Sequence, residues 1–206
     1  MMVLIAIGGM AFAVLQPIQV LPRIRLAPGY AFADATGSTV TSEDGRGSIT
    51  VYTFVPLDCG SECDAVDETM RLVRDRVPRE VDLGDAGFRM VTIALDPDAS
   101  PASLAAAAER SAGRGEAWTW LSGSASQIEN VVGLGFRRGT DPDDFAPSYA
   151  IVDGWGMVRG EYRYQTLADD ADKLVRHIGI LGSELRNDHG IGSFAYDAAH
   201  VFQCYP

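Results

Sequence analysis

The sequence predicts an α/β layer fold, a sheet with a buried middle covered by helices. Three observations predict it. The runs SITVYTFV (48–55) and FRMVTIALD (88–96) are rich in β-branched and aromatic residues, as strands covered on both faces are. Segments with apolar residues three and four apart follow each run. SYAIVD (148–153) and GMVRGEYRY (156–164) read as a hairpin turning at Asp153-Gly154, ahead of a last helical segment. Strand, helix, strand, helix, helix, hairpin, helix is the order of such a layered fold.

The first twenty residues, MMVLIAIGGMAFAVLQPIQV, carry no charge, and only Gln16 and Gln19 are polar. That length suffices to cross a bilayer, so 1–21 is expected to be a transmembrane anchor. A cleaved signal peptide competes, because Ala11-Phe12-Ala13 has the small-x-small pattern, but no basic residue precedes it. Arg23 and Arg25 just beyond favour, by the positive-inside rule, a cytoplasmic remainder. Residues 22–47 read as a linker and a hairpin whose two short strands, within YAFADATGSTVTSEDG, meet at Thr36-Gly37.

The main domain is expected over 48–185. After the first central strand a helix begins at Asp64, with Val66, Met70, Val73 and Val77 on one face, and Pro78 is expected to stop it. SPASLAAAAERSAG (100–113) has Ser100 as N-cap and Pro101 at the first helical position. WTWL (118–121) reads as a short strand, SASQIENVVGLG as a third helix and LADDADKLVRHIGILGSEL (167–185) as a fourth. Trp118 and Trp120 are expected to face opposite sides of the sheet, one inward and one toward solvent or a partner. The tail, 186–206, is rich in glycine and aromatic residues and matches no element.

At 206 residues and 47% hydrophobic content, the chain supports one domain of ordinary size and an appendage. The net charge of -11, with Lys173 the one lysine and the arginines scattered, excludes a nucleic-acid partner.

Chemistry concentrates in PLDCGSECDAV (56–66). A buried strand ending near Cys59 and a helix starting within about one turn set a thiol at a helix N-terminus, where unpaired N–H groups favour a thiolate. The four-residue spacing of Cys59 and Cys63 suits a structural disulfide, a redox pair or a two-thiolate seat for Cu(I). Zinc is disfavoured, since no second Cys/His pair stands at finger spacing. Spacing decides no further.

The surrounding residues carry a resemblance. VYTFVPLDCGSEC resembles the VYFGFTHCPDVC segment of the Sco/SenC family of thioredoxin-like proteins. IALDPDASPASL (93–104) is similar to that family's VDPxxDTPxxL shortened by one residue, WTWLSGSASQIENVVGLGF (118–136) to its W..LTG....I..V stretch, and YAIVDGWGMV to its YLIDPDGRV. The four blocks run in order over residues 30–185. The resemblance implies a thioredoxin-like fold, a central mixed sheet flanked by helices, on a membrane anchor, with the domain on the periplasmic or extracytoplasmic side. It implies copper held by Cys59, Cys63 and a histidine, thiol–disulfide activity, and service to the copper-site subunit of cytochrome oxidase or another respiratory-complex subunit. The family's histidine falls at Phe145, which cannot coordinate, so a two-thiolate site would hold copper more weakly while redox function survives better. APSYAIVD instead resembles the PTTFLID segment of redox thioredoxins, whose proline is cis and lies against the reactive disulfide. Pro147 is therefore a second site candidate, beside the plainer reading of a proline at a strand start.

Among other residues, His177 reads as a packing or helix-surface residue and His189 as part of a turn. His200 and Cys204 stand four apart, which on a helix aligns imidazole and thiol, and a folded-back tail could bring His200 to the cysteines as a metal ligand. Cys204 reads equally as the odd thiol left over. Glu62 is a candidate proton relay, and Asp58 suits the helix dipole. The function expected is copper delivery or thiol–disulfide exchange in respiratory-complex assembly, with Cys59 the attacking thiol by analogy with thioredoxins. The alternative is an accessory structural subunit that keeps the fold without the metal chemistry. Peroxide reduction is disfavoured, because no Thr-x-x-Cys motif is present.

Overall fold

The structure, a computed structural model, describes residues 19–111, 117–163, 167–187, 196, 199 and 200. Among the described residues, eight strands form one sheet. They are β1 (Arg25–Leu26), β2 (Ala31–Asp34), β3 (Thr39–Thr41), β4 (Ser48–Val55), β5 (Gly87–Ala94), β6 (Trp118–Ser122), β7 (Ser148–Val152) and β8 (Met157–Arg163). Their order across the sheet is β1-β8-β7-β4-β5-β6-β2-β3. β4 pairs parallel with β5, from Ser48 opposite Gly87 to Val55 opposite Ala94, and antiparallel with β7, so the sheet is mixed. The helices are α1 (Ser61–Glu80), α2 (Pro101–Arg110), α3 (Ala125–Ile128, continued by a wider π-helical segment, Glu129–Gly135) and α4 (Leu167–Arg186).

Strand alternation divides the core in two. Ile49, Val51 and Val55 of β4, Met90 and Ala94 of β5, and Tyr149 and Ile151 of β7 pack on one face against Val66, Met70, Val73 and Val77 of α1, Leu104 of α2, and Leu174, Ile178 and Leu181 of α4. Tyr52, Phe54, Val91, Ile93 and Ala150 point the other way, to Ile128, Val131, Val132 and Phe136. Each fully buried aliphatic or aromatic side chain contributes roughly 1.5–3 kcal/mol, so both layers are needed to hold β4 between them.

Several expectations are corrected. α1 begins at Ser61, three residues before Asp64, and runs past Pro78 to Glu80. A proline in the last turn forfeits a single backbone bond, and the Val81 N–H still reaches the Val77 carbonyl at 3.0 Å. Trp118 and Trp120 are both buried in the same layer, because residues two apart in a strand share a face. The Trp118 indole N–H donates to Thr92 Oγ1 at 2.9 Å. Ser100 caps α2 as expected, accepting from the Ser103 N–H at 3.1 Å.

Residues 1–18 of the expected anchor, 1–21, lie outside the described residues. Among the described residues no helix is long and apolar enough to cross a membrane. Val20 and Leu21 are buried in the domain, so the apolar stretch does not run to 21 as a separate unit.

Candidate functional site

β4 delivers the chain to one end of the sheet, and the link Pro56–Asp58 carries it to Cys59. Gly60 is the N-cap of α1, at φ 56° and ψ −135°, a conformation that side-chain-bearing residues rarely adopt. This turn sets Cys59 just outside the helix and Cys63 in its first turn. The two are joined in a disulfide, with Cα atoms 5.3 Å apart. Both cysteines are half-buried, open enough for a reactant to approach. Cys63 Sγ lies 3.6 Å and Cys59 Sγ 4.0 Å from the Pro56 carbonyl oxygen. Glu62 and Asp64 in the first turn complement the helix dipole.

Acidic and basic groups surround the pair. Asp58 and Glu62 are exposed. Asp67, one turn beyond Cys63 on α1, has its carboxyl pushed up to about 6 by burial, with Asp64 adding to the rise while Arg71 and Arg110 oppose it. Arg110, at the end of α2, donates to the Leu57 carbonyl at 2.8 Å, and Asp96, just beyond β5, accepts the Leu57 N–H at 2.5 Å. Asp67, Asp96 and Arg110 did not emerge from the sequence as site residues. The signal for Asp96 lay in the IALDP block; nothing in the spacing marked the other two.

The remaining candidates are dispersed. Continued two residues beyond Thr53 opposite Tyr149, the antiparallel register sets Pro147 level with Val55, beside the strand that leads to Cys59. Its peptide bond is trans, as are all those described, which corrects the expectation of a cis proline. Phe145 closes the short 3-10 turn Pro142–Asp144 and packs its ring against both core layers, in place of an imidazole. His200 is not brought to the cysteines. Its Nε2 lies 2.8 Å from Glu184 Oε1, and Glu184 Oε2 accepts from Arg159 at 2.6 Å. Arg159 in turn reaches Asp153 at 2.9 Å, and Asp153 lies at the end of the sheet where β4 begins, away from its cysteine end. This contact with Glu184 is what holds the imidazole there. His177 is a packing residue, buried on α4 with its Nδ1 2.6 Å from the Tyr162 hydroxyl. Cys204 and His189 lie outside the described residues.

As a metal seat, the pair offers two soft thiolates on reduction, a donor set that selects Cu(I). Among the described residues no group of three or more His, Cys, Asp or Glu side chains stands ready to hold an ion, so the donors the described residues supply are the two thiolates.

The SCO1/SenC family model matches residues 20–171, from the buried start of the domain into α4. The chain belongs to the SCO1/SenC family. Solved Sco structures share the fold of this SCO1/SenC protein, thioredoxin-like and α/β. BsSco, described as a member of the Sco family of cytochrome c oxidase assembly proteins with a disulfide switch, superposes with a TM-score of 0.67 at 19% identity, over 82% of this chain and 98% of BsSco. A SCO1/SenC family lipoprotein from Bacillus anthracis gives 0.64 at 20% identity, over 75% and 94% of the two chains. Yeast Sco1 with copper bound gives 0.59 at 17% identity, over 74% and 92%. No curated protein matches the SCO1/SenC chain by sequence.

Proposed function

We propose that this SCO1/SenC protein acts through Cys59 and Cys63 on the extracytoplasmic side of a membrane, in assembly of a respiratory complex. Its tasks are thiol–disulfide exchange and transfer of Cu(I) to the copper-site subunit of cytochrome oxidase or another respiratory-complex subunit. The observation that carries the reading is the half-buried disulfide at the junction of a central strand and a helix N-terminus. A disulfide persists in oxidising compartments, and the uncharged residues 1–18 suit a tether. The disulfide switch of BsSco and the copper bound to yeast Sco1 support the two halves of the reading.

In the exchange, the thiolate of a reduced Cys59 attacks one sulfur of a target disulfide. The Cys59–target bond forms, and the target's other sulfur leaves as a thiolate that takes a proton. Cys63, deprotonated in its turn, then attacks the Cys59 sulfur, closes the intramolecular disulfide and releases the second target thiol. Two electrons pass from the pair to the target. The reduced pair is also where Cu(I) would be carried as cargo. Phe145 at the place of the family's histidine favours exchange over tight copper retention.

The full chain in detergent, reduced and titrated with Cu(I) against a chromogenic chelator, is expected to take up one ion per chain, and Cys59→Ser to abolish the uptake. Reducible cysteines without copper uptake leave the exchange reading alone. Cysteines that neither reduce nor bind copper leave an accessory structural subunit with a retained fold.

A further inference from the structure

Leu57 stands two residues before Cys59, and both of its backbone polar groups are taken by charged side chains from other elements. Its N–H donates to Asp96 Oδ2 at 2.5 Å, and its carbonyl accepts from Arg110 Nη2 at 2.8 Å. Hydrogen bonds to ionised partners are roughly twice as strong as neutral ones. Asp96 is itself anchored, since its carbonyl accepts from Ser122 Oγ at 3.1 Å and the preceding Leu95 N–H donates to the Val55 carbonyl at 2.9 Å. The Leu57 side chain packs against the core layer that holds α1. The link between β4 and the reactive pair is thus fixed from three sides.

We propose that Asp96 and Arg110 are positioning residues that hold this link so that Cys59 is presented to Cys63, and that they thereby set how readily the disulfide is reduced. The proposal rests on the redox reading of the pair. Cys63 is fixed by α1, whereas Cys59 lies outside the helix, joined to it through Gly60. Once the S–S bond opens, the clamped link limits how far the Cys59 thiol swings from its partner about Gly60. Closure depends on the effective concentration of one thiol at the other, and that concentration falls when the link is released. Loss of either clamp therefore favours the dithiol.

The test equilibrates the full chain in detergent with mixtures of reduced and oxidised dithiothreitol at pH 7. Each turnover closes one small-molecule disulfide and opens one protein disulfide, with two electrons and two protons passing to Cys59 and Cys63. Asp96→Ala and Arg110→Gln are expected to shift the thiol/disulfide equilibrium about tenfold toward the dithiol, ~30 mV for a two-electron couple. Asp96→Asn, which keeps an acceptor oxygen, is expected to restore most of the wild-type constant. Arg110 is exposed, so Arg110→Gln leaves the core intact and reads the clamp even where Asp96→Ala unfolds. An Arg110→Gln chain with the wild-type constant overturns the proposal. A wild-type disulfide that stays closed in excess dithiothreitol overturns the redox reading instead, and the proposal with it.

Discussion

The Tyr162 hydroxyl and His177 Nδ1 lie 2.6 Å apart in the core, with the Lys173 ammonium 5.6 Å above the Tyr162 ring centre. Burial, aided by the nearby Arg176 and Lys173 charges, pushes the His177 imidazole down from 6.5 to about 4. The folded state thus binds fewer protons there than the unfolded chain. The stability this contributes is present above pH 6.5 and is lost as pH falls toward 4. Nuclear magnetic resonance titration is expected to show a neutral His177 ring down to about pH 5, and Tyr162→Phe to cost about 1 kcal/mol in denaturant unfolding.

Asp67 works in the opposite sense. Its folded pKa, raised from 3.8 to about 6, makes stability fullest below 3.8 and lets it decline as pH rises through 6. Asp67→Asn is therefore expected to stabilise the protein at pH 7 by about 1 kcal/mol, after allowance for solvent screening of a half-buried group, and to give no gain at pH 4. Urea unfolding at the two pH values checks it.

Gly60 has open space where a Cβ would stand, yet φ is 56°. Gly60→Ala therefore adds backbone strain without a clash and is expected to destabilise by about 1–3 kcal/mol. Denaturant melts of the disulfide-bonded forms measure this directly.

Arg159 is 3% exposed and bonds Asp153, Glu184 and the carbonyls of Leu21 and Pro22. Arg159→Met removes the cation that bridges two buried carboxylates, Asp153 and Glu184, and a loss of about 3–5 kcal/mol is expected in the same melts. Release of the 19–26 segment to protease in the variant tests whether the guanidinium is its fastening.

The sheet was legible because β4, β5 and β7 are apolar on both faces and bounded by turns, and the cysteine junction because four blocks stood around it in order. The helix start at Ser61 was not, since Gly60 caps it by backbone conformation and leaves no side-chain signature. The destination of His200 was equally hidden: Glu184 and Arg159 are ordinary charges in the sequence and become a buried network only when α4 meets β8. The clamp on Leu57 joins residues 39 and 53 positions apart, a separation that no local pattern reports.

The fastening of Leu21 and Pro22 to Arg159, with the Ile24 N–H bonded to Val158, has a mechanical consequence. A pull on Gln19 reaches β8, the strand next to the sheet edge, with no slack to take up between Leu21 and Ile24. Residues 21–24 thus move with the domain, and the cysteine end keeps a set bearing relative to them.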